Sequence, residues 1–208
     1  MAHPQQMFFV ASVKQFLPEF FRARRVLEVG SLNINGSVRP LFEECDYLGL
    51  DVGQGAGVDL VCRGEDYGAP AGSFDVVISC EMMEHNPNWR ETWINMIRLL
   101  KHDGLMIMTC AARGRRRHGT PDTDPAASPL TVGQGLAYYR NLEAEDFSGL
   151  ANLDAWFPVW AFFNDDVSHD LYFLGAGRDA PEPLRARCHQ LKAAFADYYR
   201  KKNVGGEY

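Results

Sequence analysis

The chain has 208 residues, 46% hydrophobic and 23% charged, a composition that supports one core burying about 70% of the unfolded surface. Its net charge of −6 argues against general affinity for nucleic acid or anionic membrane. No apolar run approaches the roughly 20 residues of a membrane span, and the early MFFVASV run, interrupted by Lys14, is too short for a signal peptide. Five cysteines stand singly without any C-x-x-C spacing, which argues against a disulfide framework and for a reducing, cytoplasmic compartment.

Residues 8–21 place Phe9, Val13, Phe16, Leu17, Phe20 and Phe21 at helical spacing, with Pro18 bending or ending the helix. Residues 26–29 form a short apolar strand. A helix is expected from Ser37 through Phe42, with Ser37 as cap and Pro40 in the first turn. A second strand at 47–50 ends at Asp51, and a third covers 58–62. The fourth, 74–80, is apolar enough for burial on both faces.

Asn86-Pro87 then opens a helix whose Trp89, Trp93, Met96, Ile97 and Leu100 share one face. Those tryptophans are expected to pack on the sheet. Asp103-Gly104 turns the chain into a fifth strand at 105–110. Strands alternating with helices point to a parallel, doubly wound α/β sheet. Residues 111–140 interrupt the rhythm with a loop or lid rich in Arg, Pro and Gly. A helix at about 142–150 follows, then strands near 156–163 and 169–175 joined by Asn164-Asp165-Asp166 as an antiparallel hairpin. The chain, read as a single domain over 1–208, ends with a helix at 182–202 whose buried stripe is Leu184, Leu191, Ala194, Phe195 and Tyr198.

The turn after the first strand, VLEVGSLNINGS, carries the chemistry. Gly30 permits a sharp turn and Gly36 a close approach to a ligand, yet the G-x-G-x-x-G of a dinucleotide loop is missing. Leu32 and Ile34 occupy places where small residues would be needed, and Glu28 adds negative charge beside a phosphate position. These features favour a ligand that is cationic or zwitterionic at this end. Asp51, at the end of the second strand, matches the carboxylate that binds ribose hydroxyls in nucleotide folds. The alternative is a turn-starting aspartate before Val52-Gly53. Cys62, Cys80 and Cys110 each end a strand. Cys62 and Cys80 lie three strands apart, roughly 14 Å at about 4.8 Å per strand, so buried thiols are expected and no metal site.

Together, Leu27-Glu28-Val29-Gly30, the acid Asp51, the F-D-V-V-x-S of residues 74–79, and Leu99-Leu100-Lys101-His102-Asp103-Gly104 resemble a class I S-adenosylmethionine-dependent methyltransferase. The likeness covers about residues 24–112 well and the remainder loosely. It implies a Rossmann-like sheet of order 3-2-1-4-5-7-6 with the last strand antiparallel, and S-adenosylmethionine as cofactor, leaving S-adenosylhomocysteine as product. Glu28, Gly30, Ser31, Asn35, Gly36, Asp51, Val52, Gly64, Glu65, Cys80 and Glu81 are the cofactor-binding residues it implies. The family often has an aspartate after strand three for the adenine amino group; here Arg63-Gly64-Glu65 stands there, so backbone groups or Glu65 take that role. Asn35-Gly36-Ser37, Glu81-Met82-Met83-Glu84-His85-Asn86-Pro87, His118-Gly119-Thr120 and Asp170-Leu171-Tyr172-Phe173 further resemble small methyltransferases of glycan and surface-polysaccharide biosynthesis.

In such a reaction the sulfonium activates the methyl group and the protein aligns donor with acceptor. A hydroxyl acceptor also benefits from a general base, for which His85 is the first candidate and Glu84 the second. A histidine at this position also suits capping or orienting the following helix. Arg113 and His118 bracket a basic run that either attracts a phosphate or sugar nucleotide or forms a solvated loop, and Tyr138 and Tyr139 belong to the lid. The expected activity is O-methylation of a sugar, glycan precursor or similar small metabolite. A noncatalytic nucleoside- or partner-binding module and a nicotinamide-dependent oxidoreductase are the rival readings.

Overall fold

The computed structural model describes residues 3–205. Seven strands form one sheet: β1 (Arg25–Val29), β2 (Asp46–Asp51), β3 (Leu60–Val61), β4 (Phe74–Cys80), β5 (Leu100–Ala111), β6 (Val159–Asp165) and β7 (Asp170–Ala176). Their order is β3-β2-β1-β4-β5-β7-β6, as the resemblance implies. β7 runs antiparallel to both β5 and β6, while the pairs from β3 to β5 are parallel. The helices are α1 (Pro4–Phe16), α2 (Trp89–Leu99), α3 (Pro129–Gly133), α4 (Ala144–Ser148), α5 (Leu153–Trp156) and α6 (Glu182–Gly205).

The period-2 alternation of strand side chains divides the core between two faces. Val76, Ile78, Leu105, Ile107, Tyr172 and Leu174 meet α1 and α6 on one face. Val77, Met106, Met108, Cys110, Leu171 and Phe173 meet α2, α4 and α5 on the other. Trp89 and Trp93 are fully buried there, and Trp93 sits edge-on to Phe173 at 4.9 Å, so both tryptophans are packing residues. On α6 the buried stripe is Leu184, Cys188, Leu191, Phe195, Tyr199 and Lys202. Ala194 is exposed and Tyr198 only half-buried, which shifts the expected face. Lys202 reaches Asp165 at 2.5 Å and ties the helix to the β6–β7 turn.

Several elements differ from expectation. The first helix begins earlier, at Pro4 behind the N-cap His3, and stops before Pro18, where a short 3-10 turn takes over. No helix forms from Ser37: residues 39–41 make a single 3-10 turn and Phe42 is already extended. Pro40 supplies no N–H for a helix, and residues 37–45 are the whole span available before β2. Phe42 instead stacks on Phe21 at 4.5 Å. β3 is only two residues long, at an exposed edge. Asp103-Gly104 is no turn: it lies inside β5, which starts at Leu100 and passes a register irregularity against β4. The loop after β5 contains α3, and the β6–β7 turn is longer than expected, with Asp165 Oδ1 accepting from the amides of Val167 and Ser168.

Candidate active site

β1 and β4 are neighbours whose onward connections diverge, and a crevice opens at their carboxyl ends, the usual ligand position in open α/β sheets. The cleft there holds about 1010 Å³ of empty space counted out to its mouth. Its walls come from the β1 turn, the end of β2, the loop after β3, the end of β4, and α3 with its flanks.

The β1 turn is built around Gly30, whose φ of +85° and closeness to Met82 leave no room for a Cβ. The amides of Gly30 and Ser31 both donate to the Leu50 carbonyl at 2.9 Å. Asp51 organises the same turn: Oδ2 accepts from the Leu32 amide at 2.9 Å and Oδ1 from the Val52 amide at 2.8 Å. Burial raises its pKa, against those two hydrogen bonds. A carboxylate has further acceptor sites on the same oxygens, so Asp51 keeps capacity toward the cleft it lines.

Glu28 lines the cleft floor at 4% exposure and accepts the Tyr47 hydroxyl at 2.8 Å. Burial pushes its carboxyl up to about 7, against the pull of Tyr47 and Arg39. Glu81, at the end of β4, adopts a left-handed φ of +53° and accepts from Thr109 Oγ1 at 2.8 Å. Burial alone would raise its pKa, but the contact with His3, together with Thr109, holds it at about 2. Gly64, Glu65, Cys80, Val52 and Gly36 also line the cleft. Glu65 gives one oxygen to Asn88 Nδ2 at 2.7 Å and the other to Thr92 Oγ1 at 2.8 Å, tying the start of α2 to the β3 loop. Asn35 is exposed and stands outside the cleft; the neighbouring Asn33 shapes the turn, accepting the Gly36 amide at 2.9 Å.

The other end of the cleft is walled by His85, 4% exposed, with Nδ1 buried and without a hydrogen-bond partner among the described residues. Burial, with His118 beside it, lowers its pKa to about 3, so the ring is uncharged at neutral pH. His118 lies edge-on to His85 at 5.0 Å, and Tyr139 packs on both rings at 5.4 and 4.9 Å. Glu84 is fully buried, neither oxygen has a hydrogen-bond partner among the described residues, and burial with the charge of Glu81 raises its pKa to about 8.

A family model described as a methyltransferase domain matches residues 1–143. The chain belongs to that family. No curated protein matches. Solved structures share the fold at low identity. Burkholderia thailandensis 1,6-didemethyltoxoflavin-N1-methyltransferase, solved with S-adenosylhomocysteine, superposes with TM-score 0.53 at 12% identity over 83% of this chain and 78% of its own. An S-adenosylmethionine-dependent methyltransferase of Thermotoga maritima gives 0.51 at 15%, covering 83% and 92%. Phosphoethanolamine N-methyltransferase 2 of Haemonchus contortus gives 0.53 at 17%, over 96% of this chain and 47% of its own length.

In this methyltransferase the segment after β5 lines the cleft with residues beyond the basic run. Leu130, Thr131, Gln134 and Leu136 line the cleft, and Gln134 Nε2 donates to the Val52 carbonyl at 2.7 Å. Arg113 is exposed beside Glu143, away from the cleft, and Tyr138 packs against the core on the α2 face. Arg115 pairs with Asp170 and Arg117 with Asp122, so with Arg113 three guanidinium groups already have carboxylate partners. Two residues with no local sequence signal also reach this region, one in the cleft wall and one behind Glu81. Gln6 of α1 lines the cleft, fully buried, with neither amide atom hydrogen-bonded among the described residues. His3 places Nε2 3.5 Å from both Glu81 and Asp170. His3-Pro4 signals a helix start, but not where that helix docks.

Proposed function

We propose that the protein transfers a methyl group from S-adenosylmethionine to a hydroxyl of a small metabolite, a sugar or glycan precursor being the class favoured. The observation that carries this reading is the pair Glu28 and Asp51, on either side of the Gly30 turn, in a cleft without a pyrophosphate loop. Asp51 at the end of β2 holds the ribose hydroxyls, as it would in other nucleotide folds. Glu28 and Glu81 favour the cationic methionine end, with Gln6 as a further polar contact. The amides of Gly64 and Glu65 take the adenine side, because the Glu65 carboxylate already serves Asn88 and Thr92.

Transfer is an in-line displacement: the acceptor oxygen forms the new bond to carbon while the C–S bond breaks and sulfur keeps the electron pair. A hydroxyl must also lose its proton. The uncharged His85 at the far end of the cleft supports a hydroxyl acceptor, since only a neutral imidazole accepts a proton or acts as a ligand. The Burkholderia and Haemonchus enzymes are N-methyltransferases by name, and at 12% and 17% identity they speak to the fold.

Thermal unfolding with S-adenosylmethionine, S-adenosylhomocysteine or NAD added separately tests the donor. Either adenosyl compound at 100 times its dissociation constant should stabilise the fold by about 2.7 kcal/mol, and NAD should not. No shift with the adenosyl compounds in a folded sample would overturn this reading.

A further inference from the structure

We propose that Glu84, His85 and His118 bind one divalent cation of the zinc class at the acceptor end of the cleft. Each residue offers a ligand atom, and these atoms all lie within 4.8 Å of one another. Around a tetrahedral ion with bonds of about 2.0–2.1 Å, ligand atoms stand about 3.3–3.4 Å apart, so cation binding would draw the three groups closer together.

The cluster lacks internal satisfaction. Among the described residues, both Glu84 oxygens and His85 Nδ1 are buried without a hydrogen-bond partner, although buried polar groups are ordinarily paired. Backbone geometry holds the cluster together: Glu84 and His85 sit on the 3-10 turn Met83–His85 after β4, and the Arg140 amide donates to the Glu84 carbonyl at 2.9 Å. Gly119, at φ +64°, lets the lid pass against His85, where a Cβ would come within 2.5 Å of the ring.

His118 carries a supporting feature common among metal-binding histidines. Its Nδ1 lies 2.9 Å from the Arg116 carbonyl, a contact that orients the ring and assigns its N–H to that nitrogen. Two imidazoles and one carboxylate match the donor set of catalytic zinc sites, which keep an open position, whereas magnesium and calcium favour oxygen ligands. His85 links the cluster to the cleft, so the open position serves an acceptor oxygen.

This catalytic consequence rests on the methyl-transfer reading: the cation acidifies the bound hydroxyl and its proton passes to water. Oxygen then displaces the thioether as described above. The binding site itself stands independently of that step.

The test begins with chelator-stripped protein titrated with Zn²⁺ in competition with a chromophoric chelator, and with Co²⁺ by visible absorption. One equivalent of Zn²⁺ should bind, with Co²⁺ bands of a four- or five-coordinate nitrogen–oxygen site. Glu84→Gln and His118→Ala should each weaken binding at least 100-fold and lose those bands. His118→Ala lies on the lid, and near-ultraviolet circular dichroism checks that each variant is folded. Failure of the wild type to bind, or equal binding by both folded variants, would overturn the proposal. S-adenosylhomocysteine binding, measured on the same samples, separates the two readings: lost cation binding with retained cofactor binding rejects only the cation site. Retained, variant-sensitive cation binding without cofactor binding supports the cation site and rejects the donor.

Discussion

Two clusters of imidazole and carboxylate meet where β4 ends, with Glu81 in one and Glu84 in the other. His3, Glu81 and Asp170 form the first; Glu84, His85 and His118 form the second; each gathers three possible ligand atoms within 4.8 Å. The carboxylates of the first are satisfied by the fold, and His3 Nε2, without a hydrogen bond of its own among the described residues, lies 3.5 Å from each. Thr109 donates to Glu81 at 2.8 Å, Tyr172 donates to Asp170 at 3.0 Å, and Arg115 reaches Asp170 at 3.2 Å. In the second, the Glu84 oxygens and His85 Nδ1 have no hydrogen-bond partner among the described residues. Similar residue types therefore do opposite work. One cluster fastens the start of α1 to the sheet, and the other is prepared for something that arrives from outside.

The largest effect should come from breaking the satisfied cluster. His3→Ala would leave Glu81 and Asp170 buried beside one another without the imidazolium. The expected loss is about 2–3 kcal/mol, discounted from the roughly 3–5 kcal/mol of a fully buried pair because His3 is part exposed. The effect should depend on pH. Burial opposes the imidazolium, but Asp170 and Glu81 raise His3 from 6.5 to about 10. Its contribution is therefore complete below pH 6.5 and disappears as pH rises through about 10. Glu81, depressed to about 2, contributes fully above its ordinary value of 4.5 and loses that contribution as pH falls through about 2. Urea unfolding from pH 5 to 10 should give a wild-type decline that His3→Ala removes. Parallel curves would mean that the first cluster is not an anchor.

The second cluster should respond with the opposite sign. In chelator-treated protein, Glu84→Met replaces an unsatisfied buried acid with an apolar chain of similar length and should raise stability by about 1 kcal/mol. With Zn²⁺ present, the same substitution should forfeit the stabilisation that cation binding gives the wild type. Denaturant midpoints with and without Zn²⁺ would show the reversal. If Glu84→Met destabilises the metal-free protein as His3→Ala does, the contrast between the clusters fails.

What was legible in the sequence followed how local each determinant is. The β1, β4 and β5 runs are apolar because both sheet faces are covered, and they locate the sheet centre without tertiary knowledge. Glu28, Gly30 and Asp51 were legible because strand ends dictate their positions. The helix after Ser37 was misread because Pro40 suits a first turn but cannot reveal how little chain remains before β2. Asn35 does not line the cleft, whereas Ile34 and Gly36 beside it do, because which loop residue turns inward depends on backbone angles that side-chain identity does not fix. His3 and Gln6 reach the site through the docking of α1, and His118 through the folding back of the lid. These are long-range closures with no period or spacing to read.

The smallest effect sharpens the comparison inside the cofactor half, where Glu28 is buried like Glu84 but has one partner, the Tyr47 hydroxyl. Burial raises its carboxyl to about 7, while Tyr47 and Arg39 pull it down and Asp51 and Asp59 push it up. The folded, ligand-free protein thus holds this proton between pH 4.5 and about 7. Its contribution to stability is complete below pH 4.5 and is lost as pH rises through about 7. The cationic end of the cofactor requires the ionised form, so affinity should run the other way and weaken on acidification. Between pH 7.5 and 6.5 the ionised fraction falls about threefold for a pKa near 7, and the dissociation constant should rise by about the same factor. Glu28→Gln should bind more weakly at pH 7.5 and lose this component of the slope. Calorimetric titration of S-adenosylmethionine at both pH values reads the difference between wild type and variant, cancelling titration of the ligand itself. Equal slopes would remove Glu28 from the methionine end of the cleft and leave it a buried acid held by the fold through Tyr47.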